Sequence, residues 1–150
     1  MGTKGAFGYI IGKSKKLMYT QYDSDYLWSK LIRELYIIFN CYDSYDVIKD
    51  RFEKLKDCIS CPTKEDQDNL ELFTDTGVSE QSLTDWYCLT RKCQGSFTNV
   101  LKSGYMLNNG NMVDGFIFIL DFNKCEAVFS CNNKQLEIQS FDEIKKMIRE

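Results

Sequence analysis

The chain is 150 residues long, 43% hydrophobic and 27% charged, with a formal net charge of −3. That length can bury a core without staples, the composition is that of a globular domain, and the acidic balance argues against a general nucleic-acid binder. Histidine is absent beside seven cysteines, nine tyrosines and ten phenylalanines, which excludes Ser-His, Cys-His and His-metal arrangements within one chain.

The longest apolar run covers residues 35–39, far short of the ~20 residues a membrane span needs. Gly8, Gly12 and the lysines that follow interrupt any apolar signal segment. The expectation is one cytoplasmic domain over residues 1–150, with no membrane contact. An odd cysteine count speaks against a secreted disulfide framework, so the thiols are expected to be reduced and mostly to fill space. Lys4, Lys13, Lys15 and Lys16 open the chain without an acid among them. Glu65, Asp66, Asp68, Glu71, Asp75, Glu80 and Asp85 later stand against Lys64 alone. Both runs read as solvated faces.

Residues 6–12 and 17–22 read as two strands, with the turn at 12–16 closing a β-hairpin. A helix follows, capped by Asp23 or Ser24, with Leu27, Leu31 and Leu35 beside Trp28, Ile32 and Tyr36. Its broad apolar surface makes it the expected central core helix. Asp43 and Ser44 announce a second helix, with Ile48, Phe52, Leu55 and Ile59 on one stripe and Pro62, the only proline, ending it. The acidic stretch 63–80 predicts one short helix over 65–73, then a loop at 74–77. A helix over 82–92 would bury Leu83, Trp86, Tyr87 and Leu89. A shorter one from Ser96 carries Phe97, Val100 and Leu101 and stops at Gly104.

After a turn at 108–111, residues 116–120, 127–131 and 135–139 read as three strands of a meander. Ser140 with Glu143 forms a capping box for a last helix, with Phe141, Ile144 and Ile148 inward. The fold class is α+β: an N-terminal β-hairpin, central helices, a C-terminal three-strand antiparallel meander and a terminal helix, on an antiparallel sheet.

Cys58-Ile-Ser-Cys61 has redox-pair spacing, but it falls at the end of a predicted helix. The dipole there does not favour a thiolate. Zinc held by Cys58, Cys61, Cys88 and Cys93 is the other reading. The looser spacing of the second pair and the lack of histidine argue against it, so no metal and no cofactor are expected. The N-terminal Met1-Gly2 misses the myristoylation motif because Ala6 stands where Ser or Thr is needed. The N-terminal glycines do not follow a strand or open a helix, as a phosphate-binding loop requires.

The opening 1–5 (Met-Gly-Thr-Lys-Gly), the hairpin reaching 19–24 (Tyr-Thr-Gln-Tyr-Asp-Ser) and the late strand 118–121 (Phe-Ile-Leu-Asp) resemble an uncharacterised family. Its members are small Met-Gly-Thr-Arg-opening proteins associated with viruses, fungi and protists. They carry an aromatic-Asp-Ser/Gly-Tyr-Pro segment after a hairpin and end in a Val/Ile-Ile-Asp strand hairpin. Asp25, Tyr26 and Leu27 replace the Tyr-Pro-Gly-rich turn of that pattern. The resemblance implies architecture and no chemistry.

Asp23 and Asp25, beside Tyr22, Tyr26 and Trp28, form the densest polar-aromatic cluster, and the candidate surface at the hairpin end and first-helix entrance is Tyr19, Gln21, Tyr22, Asp23 and Tyr26. Aromatics with polar tips bury area at low entropy cost, as partner surfaces require. These residues are the candidate binding site, with another protein as the expected partner. A small-molecule pocket in the same place is the alternative, and a histidine-free enzyme using Asp or Cys is the third reading.

Overall fold

A computed structural model describes residues 3–21, 23–75 and 84–147. β1 (Gly5–Ile11) and β2 (Ser14–Thr20) form the N-terminal hairpin, with Phe7 opposite Met18 and Gly8 opposite Leu17. Gly8 has no room for a side chain, since a Cβ there would lie 1.7 Å from the Lys16 carbonyl oxygen. A 3-10 turn over Ser24–Tyr26 leads into α1 (Leu27–Cys41). Leu27, Leu31, Ile32, Leu35, Ile38 and Phe39 are buried along it. The i, i+4 leucines thus form its core face, as their spacing requires.

α2 (Tyr45–Glu53) starts where the Ser44 side chain accepts from the Val47 N–H. The chain then leaves the helix, well before Pro62, which corrects the longer helix read from the apolar stripe. β3 (Lys56–Asp57) pairs in parallel with β4 (Tyr105–Met106), and the N–H groups of Lys56 and Cys58 donate to the carbonyls of Gly104 and Met106. Those strand bonds replace the helical ones. Leu55 still reaches the core, whereas Ile59 is 71% exposed.

α3 (Lys64–Asn69) carries a capping box between Thr63 and Asp66. α4 (Trp86–Leu89) is a single turn closed at Thr90, whose N–H and hydroxyl both donate to the Trp86 carbonyl, at 2.9 and 2.8 Å. A separate 3-10 turn, Arg91–Cys93, follows. The one helix expected over 82–92 is therefore two short pieces, and Leu83 lies outside the described residues. α5 (Phe97–Ser103) stops at Gly104.

β5 (Phe116–Asp121), β6 (Glu126–Cys131) and β7 (Lys134–Ser140) make the expected antiparallel meander, and α6 (Phe141–Lys145) is capped by Ser140 and Glu143. Phe141 and Ile144 are buried, while Ile148 lies outside the described residues. Hairpin and meander join in one five-stranded sheet of order β2-β1-β5-β6-β7. The joining pair, β1 with β5, is parallel, so the sheet is mixed rather than antiparallel throughout. All the helices between β2 and β5 lie in that crossover.

The fold is α+β in two layers. Phe7, Tyr9, Met18, Phe118, Leu120, Ala127 and Phe129 point from the sheet into one core. Residues of α1, α2, α5 and α6 fill it from the other side. A small second core gathers Leu70, Leu89 and Tyr105. No helix among the described residues is long and apolar enough to cross a membrane.

Candidate binding groove

β2 delivers Thr20 into the core and then turns sharply. Asp23 takes the left-handed conformation (φ 58°), and its carbonyl accepts from the Tyr26 N–H at 2.9 Å. The expected cap is absent, because an N-cap side chain acts from extended backbone and Asp23 is not extended. Ser24 sits inside the turn, fully buried, and donates its hydroxyl to the Thr20 carbonyl at 3.3 Å. The Asp23 carboxylate is thereby released from helix duty and left exposed.

The facing wall comes from the 3-10 turn at 91–93, followed by Gln94 and Gly95 (φ 72°). Two contacts lock this wall to the rest of the fold. The Gln94 side-chain oxygen accepts from the Gln21 N–H at 2.9 Å and from Arg91 Nη1 at 2.6 Å. Glu34, on α1, takes the Ser96 hydroxyl at 2.6 Å and the Phe97 N–H at 2.7 Å. Its carboxylate anchors the start of α5 to α1.

Between the walls lies a groove of about 530 Å³, with Thr20 and Leu27 at its base and Asp23, Tyr26, Lys30 and Lys92 along its sides. Its size is that of a ligand site. Arg91, Gln94 and Gly95 complete the lining. The Lys30 ammonium lies against Gly95, 3.5 Å from where a Cβ would stand. Lys30 and Lys92 make no ion pair or side-chain hydrogen bond among the described residues. Arg91, in contrast, bonds Gln94 and sits over the Tyr87 ring at 5.6 Å, which makes it a strut as well as a charge. The described lining carries three cations against one carboxylate.

Of the five candidate residues, Asp23 and Tyr26 line this groove, and the Tyr26 side of it is open, with that residue 64% exposed. Tyr19 and Gln21 stand behind it. The Tyr19 hydroxyl bonds the Gln21 side chain and its ring packs 6.2 Å from Tyr87, while the Gln21 backbone holds Gln94. Tyr22 lies outside the described residues. The basic wall was missed. The adjacent Arg91 and Lys92 before a Gln-Gly turn were its only local signal, and folding alone brings them to Lys30.

The cysteines form no comparable site. Among the described residues no three Cys, Asp or Glu side chains converge as a metal site would require. Cys58 and Cys61 follow β3 rather than a helix. Burial pushes the Cys58 thiol up to about 12 and the Cys93 thiol to about 11, so both are held as thiols. Buried Cys88 donates to the Asp75 carbonyl. Cys61 is exposed.

No protein-family model matches this sequence, and no curated protein or solved structure matches it either.

Proposed function

We propose that this chain is a binding domain whose working site is the groove between the end of β2, the start of α1 and the turn at 91–95, and that its partner is a protein. The observation that carries this reading is the exposed Tyr26 beside a groove of about 530 Å³. An aromatic ring with a polar tip, next to a concavity, is the kind of anchor on which interfaces concentrate their energy. The described lining offers one carboxylate and no thiol. That set suits holding a ligand better than acid–base chemistry, which generally needs a tuned pair. The same volume would also admit a small molecule, the second reading. All seven cysteines are unpaired, which supports a reducing, cytoplasmic setting.

Selection from a random peptide display library tests the protein reading. Wild type should enrich a consensus, and Tyr26→Ala should bind the enriched peptides at least tenfold more weakly. Because Tyr26 is so exposed, that variant should melt like the parent, within about 0.5 kcal/mol. A library that enriches nothing, or peptides that bind the variant equally well, would remove the protein partner from the reading.

A further inference from the structure

We infer that the groove is selective for an acidic peptide segment, whose carboxylate seats between Lys30, Lys92 and the side-chain amide of Gln94. This rests on the binding reading above and gives its ligand a chemistry. A lysine on a helix can pair with an acid four residues away, and Glu34 stands at that position from Lys30. Both Glu34 oxygens are already bonded, one to Ser96 and one to the Phe97 N–H. The Lys30 ammonium instead lies over Gly95, inside the groove and without an anion among the described residues.

The Gln94 oxygen is taken by two donors, Gln21 N–H and Arg91 Nη1. No described residue bonds its amide nitrogen, which leaves a donor on a side chain of the groove lining. Lys92 is a further cation of the lining with no ion pair among the described residues. A wall of donors needs a ligand rich in acceptors, and carboxylate is the peptide group with most acceptor capacity. Asp23 is the single described carboxylate of the lining and is exposed.

The net charge of the chain is −3, so attraction for an acidic partner cannot come from the molecule as a whole. It must be local to this groove and therefore weaken with salt over about a Debye length. A single carboxylate would fill little of 530 Å³, and the Tyr26 ring offers apolar contact to residues flanking the charge. That combination favours a peptide over a free anion.

Titration of isotope-labelled protein, followed by amide NMR, tests the inference with capped tetraglutamate, capped tetraglutamine, capped tetralysine and inorganic phosphate. Tetraglutamate should shift the amides of Tyr26, Lys92 and Gly95, and the shifts should shrink as salt is raised. Lys30→Glu with Lys92→Glu should weaken that binding at least tenfold while leaving the melting temperature unchanged. The milder Lys30→Gln with Lys92→Gln should give an intermediate loss. Tetraglutamine or tetralysine shifting the same amides as strongly would overturn the charge selectivity. Phosphate reproducing the tetraglutamate pattern at equal concentration would make this a site for free anions and overturn the peptide. Absence of any shift with tetraglutamate would overturn the inference outright. The display selection decides separately whether the groove binds peptides of another kind.

Discussion

Thr20 ends β2 with a buried side chain whose hydroxyl finds no hydrogen-bond partner among the described residues. A buried polar group left unpaired costs about 1–3 kcal/mol. Valine has nearly the same shape, suits a strand and lacks the hydroxyl. Thr20→Val should therefore stabilise the protein by about 1 kcal/mol, read as a higher midpoint in urea at constant slope. Thr20→Ser keeps the hydroxyl and loses the methyl group, so it should be less stable than the parent. A valine variant less stable than wild type would mean that the hydroxyl has a partner, such as a bound water. At this scale the site was half legible. Asp23 and Tyr26 stood out because polar and aromatic side chains crowd one short segment. The released state of Asp23 did not, because it depends on a left-handed backbone that the sequence Tyr-Asp-Ser does not announce.

Among the elements, the caps were the most legible features. Ser44, Ser96 and Ser140 each accept from a backbone N–H three residues on, and short-range chemistry of that kind is written in neighbouring letters. The anchor from Glu34 to the start of α5 was not legible, since its partners lie 62 and 63 residues away. Hydrogen bonds to a charged group contribute about 1.5–3 kcal/mol. Glu34→Ala should thus cost about 2 kcal/mol in urea unfolding and speed amide exchange at Phe97. Glu34→Gln, which can still accept one bond, should cost less. Equal stability of all three proteins would mean that α5 is held by its apolar face alone. Misread element ends have the same origin. Leu55 continued the apolar period of α2, yet it is buried from beyond the helix, because any route to the core satisfies an apolar side chain.

For the molecule as a whole, the hairpin and the meander were legible as units, but the parallel pair that joins them was not. Contacts such as Phe7 with Phe118 span most of the chain and leave no local trace. A second long-range link ties the small β3–β4 sheet to α3. Buried Asp66 accepts from Lys56 Nζ at 2.7 Å, from the Tyr105 hydroxyl at 2.7 Å and from the Thr63 N–H at 2.9 Å. The Lys56 ammonium, with the Thr63 and Tyr105 donors, holds this carboxyl well below the usual range. An unfolded aspartate titrates near 3.9, at about pH 4. Because the folded pKa is depressed, the stabilisation is fully present above about pH 4 and fades as pH falls toward the folded value. Asp66→Asn keeps the shape and removes the charge. The variant should melt below wild type at pH 7, and the gap should narrow below about pH 4 as the wild-type carboxylate is protonated. Other carboxylates titrate in the same range, so the difference between the two melting curves is the quantity that reports Asp66. A gap that stays constant through the acid range would mean that the charge on Asp66 contributes nothing, and that its hydrogen-bonded shape alone holds α3 against the β3–β4 pair.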